Sequence, residues 1–169
     1  MLLLLRLLHV VAGAIWVGTI VFIALFLLPT VKAVGPNGAQ VMGHLARVRR
    51  LPVFLLSAAW ITLLSGAALA WHDAGPLGFR WFSVGPGRIF GLGAVLAVIA
   101  TAIGMTINTP TARRIGEISA GAQAGGGAPS SEDQLELRRL QGRLTGATNG
   151  VAVLLVLALM AMAVARYVP

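Results

Sequence analysis

The sequence predicts an all-α polytopic membrane protein, a bundle of four transmembrane helices, and three observations carry that prediction. Of 169 residues, 57% are hydrophobic and only 11% are charged, against about 25% charged in an ordinary soluble domain. The mean hydropathy is +0.87. The charges collect outside four long apolar runs, each near the roughly 20 residues a helix needs to cross about 30 Å of hydrocarbon. Such a chain cannot clothe itself in water-facing residues, which excludes a soluble enzyme and a disordered segment. Strands of a membrane barrel would be shorter and would alternate in polarity. Continuous helices, which satisfy their own backbone groups, are the economical reading.

The whole of 1–169 reads as a single membrane domain. The first span runs from about Leu7 to Pro29 without a charge. Leu2 to Leu5 extend it past Arg6, whose long side chain can reach back to the interface. The run is too long for a signal peptide and lacks a basic leader, so it is read as a retained span. The second covers about Leu51 to Trp71, with an amphipathic approach from about Gly38 that carries His44, Arg47, Arg49 and Arg50. Pro52 kinks or restarts it. The third runs from about Ile89 to Thr109 and the fourth from about Leu144 to Ala165. Between them, the stretch from about 110 to 142 reads as a flexible tether around the glycine-rich segment Gly121–Ser131. At its end Ser131 is the expected N-cap, with Gln134 at the third helical position and a helix running from Glu132 into the fourth span.

The formal charge is +8, from 13 Lys+Arg against 5 Asp+Glu. In a soluble protein this would suggest nucleic acid. Here the basic residues flank apolar runs, where they fix orientation against anionic lipid. Arg6, Arg80, Arg88 and Arg166 fall on one side. Lys32, Arg47, Arg49, Arg50, Arg113, Arg114, Arg138, Arg139 and Arg143 fall on the other. The richer side is expected to be cytoplasmic, which leaves both termini outside a plasma (inner) membrane and the 30–50 and 110–142 segments inside. Trp71, Trp81 and Tyr167 are expected in the interfacial aromatic belt.

Helices in lipid associate through small residues and a few polar contacts. Gly142, Gly146 and Gly150 form a small-xxx-small track in the fourth span, and Gly87 and Gly91 open the third in the same way. A step of 100° per residue groups Gly142, Gly146, Asn149, Val153, Val156 and Met160 on one face, with Met162 elsewhere, and that face is expected to turn inward. On the third span Thr101, Gly104, Met105 and Asn108 share a face. Asn108 and Asn149 lie at similar depth and are expected to bond to each other, to Thr101 or Thr145, or to water, or to form the polar floor of a cavity. No Asp or Glu lies inside a span, which argues against ion-coupled transport.

His9 is the most informative residue. Its helical face continues through Gly13, Trp16 and Ile20, so the ring sits above a glycine that leaves room for another helix or a flat ligand. An embedded imidazole must satisfy a donor and an acceptor. Three readings are open: an interhelical hydrogen bond, axial ligation of haem b, or copper ligation. His72, ending the second span on the same side, and Met160, at similar depth in the fourth, are the candidate second ligands. Gly13 and Trp16 would shape the pocket. His44 belongs to the opposite side. The chain has no cysteine, so thiolate metal sites and disulfides are excluded.

The run Leu8-His9-Val10-Val11-Ala12-Gly13-Ala14-Ile15-Trp16-Val17-Gly18, opening a small four-span protein, resembles the CopD-like group of membrane proteins, which includes the HemJ-type protoporphyrinogen oxidases. Pro52, followed by Thr62 and Gly66, is similar to the HemJ-type second span. The resemblance implies that His9 is associated with haem. It also implies oxidation of protoporphyrinogen, the reaction known for the HemJ-type members. The leading expectation is a haem-binding protein for electron transfer or haem-linked redox chemistry, working with a redox partner. A non-catalytic accessory or homo-oligomeric packing module is the alternative, and a copper-handling protein a third. Membrane lipid is expected as a partner in every case, and nucleic acid in none.

Overall fold

The computed structural model describes residues 1–125 and 130–167, and within them it contains four helices long and apolar enough to cross a membrane. The first comprises α1 (Leu2–Phe22), a π-helical turn at Ile23–Leu27 and α2 (Leu28–Val34). Gly35, at φ 67°, ends it. A separate amphipathic helix, α3 (Pro36–Arg47), follows, and Arg50 at φ 50° turns the chain into α4 (Leu51–Ala74). A 3₁₀ stretch, Gly75–Ser83, leads to α5 (Gly85–Ile103), a second π-helical turn at Gly104–Asn108 and α6 (Thr109–Ala124). The last helix, α7 (Ser131–Val164), is 34 residues long and ends in a short 3₁₀ turn.

The two π-helical turns have one cause. Each ends two residues before a proline: Leu27 before Pro29, and Asn108 before Pro110. A proline has no N–H to donate, and its ring collides with the carbonyl four residues earlier, here those of Leu25 and Thr106. Widening the turn relieves that collision. The next available donors reach back five residues, Leu28 N–H to the Ile23 carbonyl and Thr109 N–H to the Gly104 carbonyl. The helices continue through both sites.

The bundle is up-and-down, with α4 packed on α1 and α7 packed on α5; looser seams between α1 and α7, and between α4 and α5, close the ring. Its core is thin and made largely of small residues: Ala24, Ala58, Ala59, Ala97, Ala100, Ala152 and Ala158 surround Trp16, Val151 and Leu155. Small side chains let backbones approach, which is how helices gain contact in lipid. At Gly93 an added Cβ would lie 3.0 Å from Met162 Cγ and 3.1 Å from the Ala158 carbonyl. The buried hydroxyls of Thr62 and Thr101 donate to the carbonyls of Ala58 and Ala97 within their own helices, so they do not tie helices together. Most apolar side chains face outward, Val10, Leu64, Val95 and Val153 among them. A lipid surround suits that arrangement.

Outside the bundle the structure departs from the expected tether. Helix α6 runs on to Ala124, and α7 begins at Ser131. Arg114 joins them through a two-pronged hydrogen bond to Glu136, at 2.9 and 3.3 Å. The N-cap is Ser130, one residue before the expected Ser131. Its hydroxyl accepts from Asp133 N–H while Asp133 accepts from the Ser130 N–H, so Asp133 takes the role expected of Gln134. Gly126, Gly127, Ala128 and Pro129, the middle of the expected flexible segment, lie outside the described residues.

Candidate functional site

His9 is locked between α1 and α4. Its Nδ1 lies 2.8 Å from the Thr62 carbonyl oxygen. A carbonyl can only accept, so Nδ1 carries a proton and donates; in the neutral form of the ring that leaves the lone pair on Nε2. No protein group among the described residues engages Nε2. Two glycines, one on each helix, make the contact. Gly13, one turn after His9, meets Thr62 Cγ2 at 3.4 Å from its Cβ position. Gly66, one turn after Thr62, lies under the imidazole, where a Cβ would come within 2.7 Å of Cε1 and 2.9 Å of Nδ1. The glycine beside His9 therefore makes room for a helix, and the glycine that makes room for the ring is Gly66. Its signal in the sequence is the one-turn spacing Thr62–Gly66, the counterpart of His9–Gly13.

The other expected ligands are not assembled around this ring. His72 is exposed at the end of α4 and sits 3.3 Å from the Asp73 carboxylate. Met160 is 58% exposed, which corrects the expected inward face of the fourth span. Gly142, Gly146 and Gly150 have nothing within 4 Å of their Cβ positions, and Asn149, Val153 and Val156 are exposed with them. The face turned into the bundle is Thr148, Val151, Ala152, Leu155 and Ala158, and the methionine that reaches the neighbouring helix is Met162, against Gly93. Helical periodicity groups residues into faces. It does not say which face is inside when both neighbours and lipid are apolar. Among the described residues no three of His, Cys, Asp and Glu gather closely enough to hold a metal ion.

Trp16 is buried, one turn beyond Gly13. It lines a cavity of about 140 Å³ in the other half of the bundle, the half nearer the 35–50 and 109–143 segments. The cavity lies where the two π-helical turns bulge. Ile23 and Leu28 reach it from the first, Gly104, Met105, Asn108 and Thr109 from the second, and Thr148 and Val151 from α7. Its wall is almost wholly apolar. Thr101, Asn108, Thr109 and Thr148 are its polar members, and among the described residues Asn108 Oδ1 is buried without a hydrogen-bond partner. The expected bond between Asn108 and Asn149 does not form, because Asn149 faces outward; Thr101 and Thr145 are occupied by carbonyls of their own helices. Asn108 lines the cavity.

Beyond the cavity a wider groove opens toward the charged end, sharing Leu28, Met42, Pro52, Thr109, Ala112 and Leu144 with it. Lys32, His44, Arg113 and Arg138 line the groove. The protein thus has two distinct features: a histidine fixed in one tautomer near the end that carries both termini, and a cavity with an unsatisfied amide oxygen in the opposite half. Compared with known proteins, the chain matches no family model, no curated protein and no solved structure.

Proposed function

We propose that this is a haem-binding membrane protein with an electron-transfer or haem-linked redox role, in which His9 supplies the only axial ligand from within the chain. The observation that carries the reading is the hydrogen bond from His9 Nδ1 to the Thr62 carbonyl. That bond fixes the ring's tautomer and orientation and raises the basicity of Nε2, the arrangement that metal-bound histidines commonly have. Gly66 supports it by leaving space for the ring. Haem b would supply one-electron chemistry; the chain supplies a pre-oriented nitrogen. Since His72 and Met160 are exposed, neither completes the coordination in one copy of the bundle. Any further ligand would have to come from a second copy or a redox partner. Copper would have to use the same scattered residues, and protoporphyrinogen oxidation would have to use the same single histidine. In this reading the chain lies in a plasma membrane with its basic 30–50 and 110–142 segments cytoplasmic and its termini outside.

The test is an absorption spectrum with metal analysis of protein expressed with ample haem. A Soret band that His9→Ala weakens or shifts is the expected result. A colourless, metal-free wild-type protein would sink the proposal.

A second reading is favoured by one observation. The glycine track of α7 has open space beside it and carries an exposed asparagine at the depth of a membrane span. A non-catalytic module that packs against another copy would use such a face. It predicts a particle larger than one chain in mild detergent, returned to monomer size by Gly146→Leu.

A further inference from the structure

We infer that the groove at the charged end is a binding site for an anionic phospholipid, its phosphate held by basic side chains and its acyl chains lying on the apolar wall. The inference is independent of His9, which does not line this groove. The donors come first. Four separate helices contribute one each: Lys32 from α2, His44 from α3, Arg113 from α6 and Arg138 from α7. Residues so far apart in the sequence meet only through the fold, which sets them apart from the flanking charge that any single span carries. Lys32, Arg113 and Arg138 are cations, and among the described residues Glu117 is the only acid lining the groove. That carboxylate is divided between Arg113, at 3.0 Å, and Arg114, at 3.9 Å. Lys32 and Arg138 have no acidic partner among the described residues. The groove keeps a surplus of positive charge, and phosphate oxygens are natural acceptors for guanidinium and ammonium donors.

The apolar part of the wall decides between a lipid and a soluble phosphate compound. Leu28, Val31, Met42, Pro52 and Leu144 line the same groove as the cations. Leu28, Pro52 and Leu144 belong to three of the four membrane-spanning helices, so the groove joins the charged end to the hydrocarbon region. A soluble phosphate compound would leave these side chains against water, whereas acyl chains cover them. The space is also large. At about 1470 Å³ it exceeds the roughly 300–1,000 Å³ of clefts that enclose drug-sized ligands. Basic pockets between membrane helices hold anionic headgroups in this manner.

The experiment titrates the full chain in neutral detergent micelles with dioleoylphosphatidylglycerol, which is anionic, or dioleoylphosphatidylcholine, which is zwitterionic. Native mass spectrometry counts the lipid retained per chain. Phosphatidylglycerol is expected to bind about tenfold more tightly, the scale of one lipid charge meeting more than one cation. Lys32→Gln combined with Arg138→Gln is expected to lower its affinity about tenfold, to the level of phosphatidylcholine. Arg139→Gln combined with Arg143→Gln removes the same charge from the same end but outside the groove, and is expected to cost less than about twofold. Excess glycerol 3-phosphate, the headgroup without its tails, is expected to leave the bound lipid in place. Equal binding of the two lipids to the wild type overturns the proposal, as does retention of neither. Equal losses in the two double variants also overturn it, since general attraction to the basic end would then account for the binding. Displacement by glycerol 3-phosphate overturns the lipid as occupant in favour of a soluble phosphate compound. The wild-type comparisons stand even where a variant does not fold.

Discussion

The two halves of the bundle solve the same packing problem in opposite ways. In the half that carries the termini, α1 and α4 meet through matched glycines: Gly13 faces Thr62, and Gly66 faces His9. The backbones come close enough for an imidazole on one helix to donate to a main-chain carbonyl of the other. In the opposite half, prolines widen two helices, and the space left over is not filled by side chains. One half holds its polar group fully engaged at Nδ1. The other keeps an amide oxygen unpaired. The lesson is that glycine and proline, both poor residues for soluble helices, do contrary things in lipid: glycine closes an interface and proline opens one.

This difference can be broken most forcefully at Gly66. A leucine there brings atoms into the space of the His9 ring, where a Cβ alone would already lie 2.7 Å from Cε1. The ring must swing away and lose Thr62, or the helices must part. Overpacking of this kind costs about 1–3 kcal/mol. Unfolding of the purified protein in mixed micelles should show a loss of that size, and a Gly66→Leu protein as stable as the wild type would mean that the two helices are not in close contact. The same change at Gly146, which has open space beside it, should leave the stability of the single chain unaltered.

Removing the ring itself is milder. His9→Leu deletes one interhelical hydrogen bond but keeps an apolar side chain of useful size. Interhelical hydrogen bonds in membranes contribute about 0.6–2 kcal/mol, so the loss should sit in that range and below that of Gly66→Leu. In the other half the sign reverses. Asn108→Leu removes an acceptor that has no partner, and deleting an unsatisfied group in an apolar setting is neutral to stabilising, by up to about 1 kcal/mol. A clear loss of stability would show that Asn108 is engaged by an ordered water.

How much of this was legible in the sequence follows the same division. The four spans, the helical extension before Arg6 and the helix from the loop into the fourth span are written in hydropathy and length, because lipid imposes both on any chain that crosses it. That His9 needs a partner is legible too, since an imidazole in a long apolar run has a donor and an acceptor to satisfy. Its actual partner was not, for a backbone carbonyl has no side-chain signature. The fourth span was turned the wrong way, Met160 for Met162, because a stripe of glycines reads as an interface whether the neighbour is the same chain or another. The cavity was half legible. Asn108 signals a polar residue at that depth, while Pro29 and Pro110 read in the sequence as span ends, and that residues at both turns line one cavity is a matter of tertiary structure.

The smallest effect is expected outside the membrane, where neither device operates. Arg114 and Glu136 tie α6 to α7 by a bidentate contact, and Glu136, through hydrogen bond and charge, raises the guanidinium above its ordinary pKa. A raised pKa on a cation contributes stability that is complete below the group's unfolded value and is lost only as pH rises through the folded one. For an arginine both lie far into alkali, so changing pH across the neutral range leaves Arg114 charged and the pair undisturbed from its side. Both partners are solvent-exposed, and pairs of this kind are screened by water and salt. Glu136→Gln should therefore shift the unfolding of the bundle by no more than the scatter between preparations, while raising local hydrogen exchange at the start of α7. A loss comparable with that of His9→Leu would mean that the α6–α7 hairpin helps to hold the spans together, and the contrast between the two halves would then have to include it.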